Sequence, residues 1–225
     1  MQDQGARIWA VLPIKRLAAA KRRLEPLLGA GCGEFARLSA CRTLDVLLRS
    51  RLFAGVIVVT PDPLIAREAQ ARGAHALDDG GIELNGACAL GLAAAAARQA
   101  DVGVLMPSDL ATLTVPAVAR VVHRYLRLRE RRGRACIGMV RCKEGTGTNL
   151  VVLDPALAFT PSFGPGSFAR HARAAGERCV ELSGFELAFD IDSADDFRAL
   201  AAALDRSERP DALARWVLAH ALSAA

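Results

Sequence analysis

The chain has 225 residues, 52% of them apolar, and a net charge of +5. That is enough apolar material for one core of ordinary domain size and too much for a disordered chain. The positive balance favours anionic partners, and aromatics at only 5% leave few stacking platforms for single-stranded nucleic acid.

The polar start, "MQDQGAR", has the character of neither a secretory nor a membrane-targeting segment, and no apolar run reaches the length of a membrane span. A cytosolic protein without membrane contact is therefore expected. Next comes "RIWAVLPI", a strand candidate that breaks at proline and is followed by five cations: Lys15, Arg16, Lys21, Arg22 and Arg23. "GEFARLSACRTLDVLLRS" places Phe35, Leu38, Cys41, Leu44 and Leu48 on one stripe and reads as an amphipathic helix. "GVIVVT" (55–60) is a strand candidate. "DPLIAREAQARG" is a helix capped at Asp62 and stopped at Gly73, and "NGACALGLAAAAARQA" is another helix. "VGVLMP" (102–107) is a strand, followed by a helix in "TVPAVARVVHRYLRLRE" with Thr114 as cap and Pro116 in its first turn. "ACIGMV" (135–140), "TNLVVL" (148–153) and "LAFDID" (187–192) complete the strand candidates. The basic run "HRYLRLRERRGR" reads as a solvated helix face with its connecting turn.

Strands alternating with helices imply an α/β/α sandwich around a mostly parallel, mixed sheet. A single domain over residues 7–205 is expected, with residues 206–225 forming a C-terminal helical appendage of the same domain. The six cysteines form no CxxC pair and read as small core hydrophobes.

In such sheets ligands sit at the carboxyl ends of the strands, where the cations after "RIWAVLPI" fall. Cationic side chains and backbone amides there suit a polyphosphate. "LMPSDLATLT" ends an apolar strand in Pro107 and Ser108 and then presents Asp109, a carboxylate that a divalent cation would neutralise. The plain alternative is an Asp capping the next turn. Alternation along "LAFDID" would put Asp190 and Asp192 on one strand face, where a Mg²⁺ would relieve their repulsion. Alternatively, Asp192 caps the following helix. "KEGTGTNLVVL" and "FGPGSFARH" supply Gly-rich turns, the second delivering Ser167 to a helix N-terminus, and both suit anions. His171, beside the second turn, either touches ligand or bonds structurally.

No Walker loop is present, nor a GxGxxG opening a helix after the first strand. The nucleophile-elbow pattern is missing too, and the four histidines are far apart in sequence.

Taken in order, "LPIKRLAAAKRRL", "GGIELNGACALG", "PSDLATLT", "GTGTNLVVL", "FGPGSFARH" and "FDIDSADDF" resemble the guanylyltransferases that activate a three-carbon phospho-acid in biosynthesis of the deazaflavin coenzyme F-420. The resemblance spans roughly residues 8–200. It implies a nucleotidyltransferase fold of the glycosyltransferase-A kind, with GTP as donor, Mg²⁺ as cofactor and pyrophosphate as leaving group. It also implies Asp109, Asp190 and Asp192 as metal ligands and Lys15, Lys21, Arg23 and Asp109 as the catalytic set. Pro13, Lys15, Lys21, Arg23, Asn85 and Pro107 would hold the nucleotide, while Thr148, Gly164 and Ser167 would bind the acceptor. Thr146 stands where many relatives have glycine. Its hydroxyl ranks 3-phospho-D-glycerate first as acceptor, then phosphoenolpyruvate, then 2-phospho-L-lactate. A homodimer is compatible with such a fold, although no residue demands one. Two other readings remain: a nucleotidyltransferase acting on a sugar phosphate or a molybdopterin-type cofactor, and a non-catalytic nucleotide- or RNA-binding module.

Overall fold

The computed structural model describes residues 5–132, 134–205 and 210–223. A seven-stranded sheet has the order β3-β2-β1-β4-β6-β5-β7. Its strands are β1 (Ile8–Pro13), β2 (Gly55–Val59), β3 (His75–Leu77), β4 (Val102–Leu105), β5 (Ile137–Arg141), β6 (Thr148–Leu153) and β7 (Cys179–Glu181). Only the β6 pairings, with β4 and β5, are antiparallel; the others are parallel. Five of the six strands expected from sequence are present. "LAFDID" is not a strand: α7 (Phe185–Ala188) occupies its first part, and irregular chain carries Asp190 and Asp192.

The remaining helices are α1 (Glu25–Leu28), α2 (Cys32–Ser50), α3 (Pro63–Ala71), α4 (Leu84–Ala97), α5 (Val115–Arg132), α6 (Ser167–Ala175), α8 (Ala194–Leu204) and α9 (Ala212–Ser223). Strand β1 explains the layering, because all six of its residues are buried. Ile8, Ala10 and Leu12 join the core that contains residues of α2, α3 and α5. Trp9 and Val11 face the other way, into the core shared with α4 and α6. A strand covered on both faces must be apolar throughout, hence the unbroken run.

A third cluster joins α1, α2, α8 and α9, with Phe35, Phe197, Leu213 and Val217 buried together. Helix α9, which lies in the expected appendage, packs into this cluster; residues 206–209 and 224–225 of that segment lie outside the described residues. The free cysteines behave as expected, five being buried and Cys179 half-buried.

Asp62 caps α3 as expected, its Oδ1 accepting from the backbone N–H groups of Leu64 and Ile65, and Pro63 occupies the first turn. The cap of α8 is Ser193, in a reciprocal capping box with Asp196, which corrects the alternative of an Asp192 cap.

Helix α4 lies close on the sheet because Gly91 has no side chain. A Cβ there would stand 2.3 Å from Val11 Cγ1 and 3.0 Å from Val59 Cγ2. Both neighbours are β-branched and buried, so neither can swing away. Gly91→Ala is expected to lower the unfolding free energy by about 1–3 kcal/mol, read as a lower urea midpoint; an unchanged midpoint would show that α4 lifts off without cost.

Candidate active site

The chain leaves β1 towards β2 and β3 on one side and places β4 on the other, so a topological switch point lies between β1 and β4. A cleft of about 940 Å³ opens there, at the carboxyl ends of β1 and β4 and the start of β6. This is ample for a nucleotide and a small partner. Its lining includes Pro13, Lys15, Lys21, Arg23, Pro107, Asp109, Thr148, Gly164, Ser167, Asp190 and Asp192. Among the metal-, nucleotide- and acceptor-binding residues that the family resemblance implies, Asn85 alone is off that lining; Arg16 and His171, outside that set, are off it as well.

The basic loop after β1 is tied down from outside. The Leu17 N–H donates to Asp62 Oδ2 at 3.0 Å, so the cap of α3 also fixes this loop. Lys21 takes left-handed backbone (φ 54), uncommon for a side-chain-bearing residue, and this turns its side chain inward. Its ammonium donates to Asp109 Oδ2, to the Ile191 carbonyl at 2.6 Å and to Asp192 Oδ1 at 3.0 Å. Burial opposes the charge, but Asp109 and then Asp192 outweigh it, and the Lys21 pKa lies above its usual value. Lys21 thus sits among the acids. Arg23 remains largely solvated, 3.9 Å from Asp192 Oδ2. Lys15 and Arg22 line the cleft with no ion pair among the described residues.

Asp109 is placed by the turn after β4. Met106 N–H donates to the Val11 carbonyl, and buried Thr43 of α2 holds the Ser108 carbonyl at 3.1 Å. Asp190 is pushed above the ordinary carboxylate range by burial first and then by Asp109; the Asn149 hydrogen bond pulls it down, and Asp192 pushes it up again. The three acids thus share one electrostatic neighbourhood, although Asp190 and Asp192 reach it from irregular chain. Among the described residues no three His, Cys, Asp or Glu side chains stand in a ready metal-holding cluster. The donor chemistry nevertheless fits a hard cation. Asp109 Oδ1 is buried with no hydrogen-bond partner, and Lys21 already supplies positive charge beside it.

Elsewhere along the cleft, Gly164 (φ +114) and Gly166 (φ +70) make the turn into α6 in backbone that side chains rarely adopt. Several amides of this expected anion seat already have partners. Ser167 N–H donates to the Gly164 carbonyl, Phe168 N–H to the Thr146 carbonyl, and Thr148 N–H to Ser167 Oγ. Asn85 grips the same turn from α4: its Oδ1 accepts from Phe163 N–H at 2.6 Å and its Nδ2 donates to the Phe163 carbonyl at 3.4 Å. Asn85 thus fastens the turn into α6 through both of its amide atoms.

His171 lies behind this turn, fully buried, and bonds structurally to Ser162 and Thr148. Burial, with help from the Arg170 charge, lowers its pKa from 6.5 to about 4. The unfolded chain takes up the proton near 6.5 and the folded chain only near 4. The stabilising contribution is therefore complete above pH 6.5 and lost as pH falls towards 4, to a total of roughly 3 kcal/mol. Urea unfolding across that interval should show His171→Phe losing less stability than the parent by about this amount; parallel curves would refute it.

Two functional residues were missed from sequence. Asn149 donates to the Ala188 carbonyl at 3.1 Å and to Asp190 Oδ1 at 3.3 Å. Lys143 donates to the Asp190 carbonyl at 3.1 Å and pairs with Asp196, whose other oxygen accepts from the Asp192 and Ser193 N–H groups. Together they shape the irregular segment that presents Asp190 and Asp192. A signal existed: Lys15, Lys21 and Lys143 are the only lysines in an arginine-rich chain.

A single-domain mixed sheet with its cleft at this switch point is a fold found in nucleotidyltransferases of known structure. Similar folds occur in a nucleotidyl transferase from Methanothermobacter thermautotroptrophicus (TM-score 0.64, 16% identity, 90% of this chain and 100% of that one). The 4-diphosphocytidyl-2C-methyl-D-erythritol synthase from Anaerococcus prevotii is also similar (TM-score 0.57, 14% identity, 89% and 97%). More particularly, residues 8–204 match the family described as Guanylyl transferase CofC like, and the chain belongs to it. Among curated proteins it is 39% identical to the phosphoenolpyruvate guanylyltransferase of Thermomonospora curvata over 91% of this chain and 87% of that one. It is 37% identical to the enzyme of that name from Sphaerobacter thermophilus over 85% and 91%. The protein is a nucleotidyltransferase of the guanylyltransferase kind. Among its described residues no helix is long and apolar enough to cross a membrane.

Proposed function

We propose that the protein joins GMP, taken from GTP, to the phosphate of a three-carbon phospho-acid and releases pyrophosphate, in biosynthesis of coenzyme F-420. The observation that carries this reading is one cleft lined both by Lys21, Asp109, Asp190 and Asp192 and by Thr148 of β6 and Ser167 of α6. The acceptor phosphate is a dianion near neutral pH. One of its oxygens forms a bond to the α-phosphorus as the bond to the β-phosphate oxygen breaks, and the pyrophosphate keeps that electron pair. No protein base is needed, in keeping with a cleft whose neighbouring histidine is buried and bonded.

The chain's part is positioning and charge balance. Lys15, Arg22 and Arg23 suit the β- and γ-phosphates, and Thr148 and Ser167 suit the acid. Asp109, Asp190 and Asp192 would hold Mg²⁺, which supplies charge neutralisation at the phosphates when bound. The name shared by the curated relatives moves phosphoenolpyruvate to first place as acceptor. The exposed Thr146 on the rim keeps 3-phospho-D-glycerate second, ahead of 2-phospho-L-lactate.

The test is a matrix of GTP and ATP against these three acids and a hexose phosphate, read by pyrophosphate release. Turnover is expected with GTP and phosphoenolpyruvate; release with the hexose phosphate alone would overturn the reading.

A further inference from the structure

The hydrogen bonds behind the turn into α6 can be counted to the last proton. Arg170 holds the side chain and carbonyl of Ser162, and so fixes the direction of that residue's backbone. The Ser162 N–H donates to His171 Nε2 at 2.8 Å. A neutral imidazole has one N–H, so with Nε2 accepting, the proton belongs to Nδ1. Phe159 and Phe163 pack against the ring, with centroids at 5.4 and 4.9 Å. Nδ1 lies 3.0 Å from Thr148 Oγ1, which therefore receives a hydrogen bond. Ser167 Oγ lies 3.3 Å from the same oxygen and itself accepts from Thr148 N–H at 2.9 Å.

Two hydroxyl protons remain, and one O–H···O contact joins the pair. One proton serves that contact. The other finds no acceptor in the pair or on His171, and both residues line the cleft. In the opposite tautomer Thr148 would donate to His171 and Ser167 to Thr148, so the pair would offer the cleft nothing.

We propose that His171 is a positioning residue whose Nδ1–H form sets the Thr148–Ser167 pair as a single O–H donor facing the cleft, ready for an anionic oxygen of the acceptor. The identity of that oxygen, carboxylate or phosphate, rests on the phospho-acid reading above; the proton count does not.

The first test is long-range ¹⁵N–¹H correlation on the full chain labelled at histidine, with His171→Phe identifying the signal. A neutral Nδ1–H ring at pH 7 is expected; an Nε2–H ring or a charged one overturns the proposal. The second test is steady-state kinetics of His171→Phe, which keeps the ring packing and removes both nitrogens. The acid KM should rise roughly tenfold with the GTP KM within about twofold. Equal rises in both, as a general loosening would give, or no rise in either, overturn it. Should the parent enzyme turn over no phospho-acid, the functional reading falls, while the tautomer, measured on the protein alone, still decides the proton count.

Discussion

Asp109→Asn is expected to lower kcat/KM by roughly a thousandfold, the scale of losing a preorganised charge at a reacting phosphate, while the protein stays folded. Asparagine keeps the shape of the side chain, and the turn that carries it is held by Thr43 on the Ser108 carbonyl and by buried Leu110 and Ala111. The change removes one negative charge from a cluster in which Asp109 already pushes Asp190 upward. Relief of that repulsion offsets the weakened hydrogen bond to Lys21, so the melting temperature should move little. What disappears is the buried, unpartnered Oδ1 as an anionic ligand, together with the acid that orients the ammonium. Pyrophosphate release measured beside a thermal melt separates the two effects. Turnover within tenfold of the parent would remove Asp109 from the chemistry.

The central strands were legible because burial on both faces demands unbroken apolar runs, and β1, β2, β4 and β6 each supply one. The edge strands β3 and β7 have three residues each, too few to display alternation, and they pair because the neighbouring strand offers its edge. "LAFDID" looked like a strand for the same reason that the true strands did. Its alternation reflects buried Leu187 and Ile191 on a segment fastened by Lys143 and Asn149, not a ladder. The acids were nonetheless placed in one site, since their position along the chain was right even though the local geometry was not. The contact that Asn85 makes could not be read from the sequence. Its partner, the Phe163 backbone, lies 78 residues away, and main-chain partners leave no mark in sequence.

Lys21→Met is the more searching change, since it keeps the length of the side chain and deletes the charge that three carbonyl and carboxylate oxygens share. Truncating one partner of a fully buried pair costs about 3–5 kcal/mol. Asp109 and Asp192 are 24% and 47% exposed, so water screens part of that cost. A loss of about 1–2 kcal/mol is expected. The carboxylates left behind attract cations more strongly, and a metal ion no longer competes with an ammonium already seated between two of them. Mg²⁺ should therefore raise the melting temperature of Lys21→Met more than that of the parent, and calorimetry should show tighter binding to the variant. Turnover should not follow. Even at saturating Mg²⁺, kcat/KM for GTP is expected to stay roughly a hundredfold down, because the ammonium that orients Asp109 and Asp192 and ties them to the Ile191 carbonyl is gone. Full rescue by the metal would mean that Lys21 only balances the acids; weaker Mg²⁺ binding in the variant would mean that the ammonium and the metal do not share this place.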